Sequence, residues 1–307
     1  MKIFSLSRSL SFALLLLWAT LSLTACGQPQ ASSPSPIATT TTAAATPKLK
    51  PASRVIALTS LSADILYRLD KAKLVGVAGS QLLAKNPGLA ALPRMSEGRT
   101  PPNLEKIVAL KPDLVIGAVG FHDPAIAKLK SLGIQTLLWE VDSWQSLTEL
   151  TQILADSVGA DATPLLMQYQ TFLEPKSTQR GSTLVLASRQ PFMSPNAKSW
   201  AGDLLTRLGI KNVAADLQGN SPMRGYITLS PEKILEPNPE SIILVDAPQG
   251  DIEKVKSEPF WNQLKATKNQ KVYTFNYYGL VNPGSIDAIE KTTTQLKAIT
   301  NRLGNGV

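Results

Sequence analysis

Across 307 residues there is one cysteine and one histidine, and that scarcity limits the chemistry open to the chain. A zinc or manganese centre needs several His, Cys, Asp or Glu side chains converging on one point. His122 would have to serve almost alone, with no acidic or tyrosine cluster evident to help it. A hydrolase triad would draw on that same histidine. There is no Gly-x-Ser-x-Gly elbow, no Walker-type glycine loop and no Gly-x-Gly-x-x-Gly. The residues with chemical promise are carboxylates repeated at matching positions and arginines mixed with aromatic rings. Such groups suit recognition of a ligand or partner through charge and ring stacking.

The cysteine has its own chemistry. Lys2 and Arg8 give a basic start, an apolar run from Phe12 to Trp18 follows, and the segment ends in Leu23-Thr24-Ala25-Cys26-Gly27. A basic region, a short apolar region and small residues before a cut describe a secretory signal peptide. The run falls short of the ~20 residues a membrane span requires. Leu-Thr-Ala-Cys resembles the bacterial lipobox, in which Cys26 is lipidated on its thiol and becomes the new N-terminus. The expectation is a signal peptide over 1–26 and an acylated, palmitate-type anchor. No cysteine is left for a disulfide in the folded part. Residues 27–51 are dominated by Ala, Ser, Thr, Pro and Gln, including the run Thr39–Thr42. Such a segment buries too little apolar surface to offset the entropy of ordering, so it reads as a disordered tether.

The remainder is ordinary globular sequence. The whole chain is 43% hydrophobic and 18% charged, and its net charge of +8 is spread without a block of Lys or Arg. That distribution argues against a nucleic-acid arm. Strands are predicted at Arg54–Leu58, Leu74–Ala78, Leu114–Gly117, Ile134–Trp139, Thr183–Ala187 and Ile242–Val245. Helices are predicted at Ser62–Leu69, Ala125–Leu132, Asp142–Val158, Asp161–Leu173 and Ala201–Leu208. Strands alternating with short helices indicate βαβ units and mainly parallel sheets.

One segment occurs twice. Glu105-Lys106-Ile107 is matched by Glu232-Lys233-Ile234. Seven residues after each glutamate stands a proline (Pro112, Pro239), then an acid (Asp113, Glu240), then an apolar strand. Asn103 and Ser230 precede as helix caps. This duplication predicts two α/β lobes of similar build. Residues 52–160 form one lobe, 176–307 the other, and a helix over 161–175, ended by Pro175, bridges them. The fold class is thus α/β, with two Rossmann-like lobes of mainly parallel sheet joined by one helix.

With Pro102-Asn-Leu-Glu-Lys-Ile107, Ala109-Leu-Lys-Pro-Asp-Leu-Val-Ile116 and the weaker echo at Leu229–Val245, the chain from Arg54 onward resembles the single-helix-hinge solute-binding proteins of bacterial ABC importers. Those proteins carry ferric siderophores, ferric citrate, haem or cobalamin. The resemblance implies capture of a ferric chelate between the lobes and delivery to a permease dimer with its ATPase subunits. Cobalamin or haem is the alternative within the class, and an exported α/β hydrolase the rival outside it. It further implies a monomer without cofactor or enzymatic activity, at the periplasm or outer face of the cytoplasmic membrane. Glu105 and Glu232 take the positions that dock on permease arginines in that family, and Arg99 the position of an arginine common in siderophore and ferric-citrate binders.

Ligands of open α/β sheets bind beyond the carboxyl ends of the strands. The candidates there are Ser60, Arg99, Phe121, His122 and Trp139 in the first lobe. The second lobe offers Arg189, Phe192, Trp200 and Arg224, with Tyr226, Tyr277 and Tyr278. Aromatic faces with arginine forks suit a bulky anionic chelate.

Overall fold

The computed structural model describes residues 48–97, 100–173, 181–219, 221, 223–247 and 251–304. Cys26, Arg99, Pro175 and most of the tether lie outside the described residues. The first half runs β1 (Val55–Ala57), α1 (Ser60–Asp70), β2 (Leu74–Val77), α2 (Pro87–Ala90), α3 (Leu104–Ala109), β3 (Leu114–Ala118), α4 (Asp123–Ser131) and β4 (Gln135–Trp139). Two helices follow, α5 (Trp144–Val158) and α6 (Thr163–Leu173). Next come β5 (Ser182–Leu186), β6 (Ser188–Arg189), β7 (Phe192–Pro195), α7 (Trp200–Arg207), β8 (Lys211–Asn212) and β9 (Tyr226–Leu229). The chain ends through α8 (Pro231–Leu235), β10 (Ser241–Asp246), α9 (Lys265–Lys268), β11 (Val272–Asn276), α10 (Tyr277–Leu280) and α11 (Ile286–Gly304).

Two four-stranded sheets result, ordered β2-β1-β3-β4 and β11-β10-β5-β8, and every pairing in them is parallel. Val55–Ala57 and Ser241–Val245 are buried at every position. Continuous apolar runs of this kind belong to strands covered on both faces. A small antiparallel sheet, β6-β7-β9, is added in the second half; the sequence reading had no strands there.

Helix starts depart from expectation by one or two residues, because the apolar spacing begins inside the cap. Thr59 accepts from the Ser62 N–H at 3.1 Å, so α1 starts at Ser60. Ser143 caps α5 in a reciprocal box with Ser146, and Gly159 closes α5 at φ 65°, a left-handed cap. Asp161 accepts from the Thr163 N–H at 2.9 Å and lies outside α6. Leu49 and Lys50, read as tether, rest on the first half: Leu49 packs against the core, and Lys50 exchanges two hydrogen bonds with Gln135 at 2.8 and 3.1 Å.

The halves meet over a packed junction. Trp144 of α5 stacks on Trp200 of α7, with centroids 5.9 Å apart and planes at 14°. The Trp144 N–H donates to Asp203 at 2.7 Å, and the Trp200 indole N–H to the Gly279 carbonyl at 2.8 Å. Asp64 of α1 accepts from the Ile286 N–H at 2.7 Å, and Arg68 reaches Asp287 at 2.7 Å. Asp64 is buried, and desolvation raises its pKa above the ordinary carboxylate value, against the Ile286 and Arg68 contacts.

Candidate functional site

The duplicated segment is repeated in three dimensions. Asn103 accepts from the Lys106 N–H at 2.9 Å and Ser230 from the Lys233 N–H at 3.4 Å. Glu105 and Glu232 stand exposed in the first turns of α3 and α8, while Ile107 and Ile234 are fully buried. Lys111 and Asn238, each six residues beyond its glutamate, both have positive φ, 48° and 38°. The buried prolines 112 and 239 follow. The N–H of Asp113 then bonds to the Arg54 carbonyl at 3.0 Å, and that of Glu240 to Ser182 at 2.9 Å. The Ser230 hydroxyl holds the Glu232 carboxyl below its usual pKa. The arrangement presents two equivalent exposed carboxylates, a form suited to a partner with two equivalent cationic sites.

The strand ends carry two openings. One, about 460 Å³, is lined by Asp64, Gln81, Leu82 and Lys85 of the first half and by Asp246, Asn276 and Tyr278 of the second. The other, about 510 Å³, lies among Asn196, Lys198, Asp216, Gln218, Arg224 and Tyr226. Both fall within the range of small-molecule sites. Arg224 of the second opening forms an ion pair with Glu140, the residue directly after β4 in the other half. At the end of β3, Phe121 is 84% and Val119 42% exposed. His122 beside them accepts the Ala118 N–H on Nδ1 at 2.9 Å, and burial lowers its pKa.

The structure therefore gathers some of the sequence candidates and separates others. Arg224 and Tyr226 line one opening and Tyr278 the other. Ser60, Trp139, Arg189, Trp200 and Tyr277 line neither. Ser60 begins α1. Trp139 donates its indole N–H to the Ser146 carbonyl at 3.0 Å. Arg189 pairs with Glu258 through Nε at 3.0 Å and Nη2 at 2.8 Å, and Phe192 packs edge-on to Phe260. Trp200 is buried in its stack with Trp144, and Tyr277 meets Tyr278 edge-on at 5.4 Å. Tyr226 is buried with its hydroxyl unpartnered among the described residues, and burial drives its pKa upward. Lys198, Asp246 and Glu140 escaped the sequence reading. Glu140 and Asp246 carried a signal, an acid at the carboxyl end of a parallel strand.

The family model described as Periplasmic binding protein matches residues 55–277. Among curated relatives, the uncharacterized ABC transporter substrate-binding lipoprotein YvrC of Bacillus subtilis is 25% identical over 238 residues, 72% of this chain and 71% of its own. The Fe(3+)-citrate-binding protein YfmC of the same organism is 27% identical over 187 residues, 57% of each chain. The crystal structure of the periplasmic vitamin B12 binding protein BtuF of Vibrio cholerae aligns with a TM-score of 0.66 at 20% identity, over 84% of this chain and all of that one.

Proposed function

The chain belongs to the periplasmic binding protein family, and on that premise we propose that the solute it captures is a ferric chelate, a siderophore or ferric citrate. As a family member it is a solute-binding protein serving an ABC importer, and the family is one of binding proteins, not enzymes. The observation that carries the ligand reading is Arg224, an exposed guanidinium fork beside Lys198 at an opening of about 510 Å³. A planar fork matches the carboxylates or catecholates around ferric iron, and the relative YfmC is named for ferric citrate. Arg99, by the resemblance, would add a second guanidinium from the first lobe. A corrinoid or haem is the second reading. The exposed Phe121 and Val119 favour it, because a large apolar ring would cover them.

The same proposal has residues 52–160 and 176–307 act as the two lobes about a bridge at 161–175, in a monomer tethered through lipidated Cys26. The membrane side is the periplasm or the outer face of the cytoplasmic membrane. Glu105 and Glu232 dock on the permease dimer. The test of the ligand is a tryptophan-fluorescence titration of the purified protein with ferric citrate, a catecholate, a hydroxamate, haem and cobalamin. Saturable quenching by an anionic ferric chelate is expected, and Arg224→Ala should weaken it about ten-fold or more, the scale of a lost charge-assisted contact. Tight binding of cobalamin or haem alone would transfer the protein to the second reading.

A further inference from the structure

We infer that Glu140 is an internal stand-in for the anionic part of the solute, occupying Arg224 from the opposite half until a ligand carboxylate or catecholate displaces it. The inference rests on the ferric-chelate reading above and adds a residue that decides which anions bind.

Three observations carry it. First, the pair spans the molecule. Glu140 follows β4 in the first half, Arg224 precedes β9 in the second, and the Oε2 of one meets the Nη1 of the other. Second, the pair sits in the open. The Arg224 side chain is 75% exposed and that of Glu140 35%. An exposed ion pair shifts an equilibrium by at most about five-fold. The stacked Trp144 and Trp200 and the Asp64 contact to Ile286 already join the halves from buried positions. Holding the halves together is therefore a task that Glu140 is poorly placed to perform. Third, Arg224 is shared with an opening. It lines the space of about 510 Å³ with Lys198 and Asn196, and among the described residues Glu140 is its one ionic partner, through one nitrogen.

A guanidinium has five N–H donors in a fork that accepts a carboxylate through two parallel bonds. A single contact to Glu140 leaves that capacity unfilled. A monocarboxylate or simple inorganic anion meets Arg224 on terms no better than Glu140 does, and gains little by replacing it. A chelate that presents a bidentate anionic edge, and a second one toward Lys198, displaces Glu140 with a net gain. The stand-in thus filters for polyanionic chelates against the small anions around it.

The test is a calorimetric titration of the purified protein with ferric citrate, for wild type, Glu140→Gln, Arg224→Ala and the double variant, with acetate as the small-anion control. Glu140→Gln should tighten ferric citrate binding about two- to five-fold, the worth of the exposed pair it removes, and should make acetate a measurable competitor. Arg224→Ala should weaken binding about ten-fold or more, and adding Glu140→Gln to it should change nothing. A melting-temperature loss in Glu140→Gln with affinity unchanged would make the pair a structural rim contact and sink the inference. Weaker binding in Glu140→Gln would sink it too, by making Glu140 a direct ligand contact. If wild type binds no anionic chelate, the ferric-chelate reading itself falls and takes the inference with it. If wild type binds one and Glu140→Gln is silent, only the inference falls.

Discussion

The two parallel sheets are the same object built twice. Reading the second from its far edge gives β8-β5-β10-β11 against β2-β1-β3-β4, so each strand has a counterpart in the same place. The counterparts share more than order. The second central strand of each sheet, β3 or β10, is preceded by a capped helix with an exposed glutamate, a buried isoleucine, a positive-φ residue and a buried proline. What differs is the path from the first strand of each sheet to its following helix. In the first half β1 passes through Thr59 straight into α1. In the second, β5 leads into the antiparallel pair β6-β7 before α7 begins, and β9 completes that small sheet. Arg189, Arg224 and Tyr226 all lie on or beside this addition. The shared parts thus present the paired carboxylates, and the unshared part places Arg224 at an opening.

If the halves are equivalent in energy as well as in outline, equivalent truncations should cost alike. Ile107 and Ile234 are both fully buried behind their glutamates. Truncating a buried isoleucine to alanine removes apolar burial and leaves a cavity, about 2–5 kcal/mol. Ile107→Ala and Ile234→Ala should each lower stability in that range and agree within about 1 kcal/mol, since the spread at fixed chemistry reflects how well a site collapses. Urea unfolding followed by circular dichroism reads both. A difference of several kcal/mol would mean that the repeat is one of outline only.

This equivalence was legible in the sequence because it is local. A cap, a glutamate and an isoleucine at fixed spacing mark where a short helix starts and which side it buries, and Asn103 and Ser230 cap as expected. The parallel sheets were legible too, since continuous apolar runs mark strands buried on both faces. The antiparallel addition was not. β6 has two residues, and β7 pairs with a strand well beyond it in the chain, Phe192 opposite Leu229; no periodic signal spans that gap. The candidate site suffered from the same limit. Strand ends could be named from the pattern, but whether Trp200 faced a groove or Trp144 depended on how the halves meet. Arg189 has Glu258 for a partner, 69 residues on, and Arg224 has Glu140, 84 residues back. Long-range ion pairs leave no trace in spacing.

The exposed carboxylates allow a functional version of the comparison. We expect Glu105→Ala with Glu232→Ala to reduce solute uptake by cells strongly, and each single change to reduce it less and to a similar degree. Affinity of the purified protein should stay at the wild-type value, because neither side chain lines an opening. Cys26→Ser should lower uptake by a different route, leaving either an unprocessed precursor or a released, soluble domain, and should abolish incorporation of a labelled fatty acid. Unimpaired uptake by the double variant would reduce both glutamates to favourable first-turn charges on short helices. Unequal single variants would show a partner less symmetric than the surface it meets.

The smallest effect is the sharpest, since it separates two residues in one conformation. Lys111 and Asn238 occupy matching turns at φ 48° and 38°. A side chain with a Cβ in the left-handed region costs about 1–2 kcal/mol, a penalty that asparagine partly escapes through its short polar side chain. Glycine removes the penalty but loses about 0.5–1 kcal/mol in extra chain entropy. Lys111→Gly should therefore raise stability by about 0.5–1 kcal/mol, whereas Asn238→Gly should lower it by about 0.5–1.5 kcal/mol, because the Asn238 Oδ1 accepts the Lys265 N–H at 2.9 Å and glycine loses that bond. Nothing else in the turn opposes the first change: Arg54 bonds to the Leu110 and Lys111 carbonyls, which glycine retains. The measurement is the shift in urea midpoint for the two variants, at an unchanged denaturant slope. A loss of stability in Lys111→Gly would mean that lysine adopts this backbone without the usual left-handed cost, and shifts of the same sign in both variants would end the contrast between the two turns.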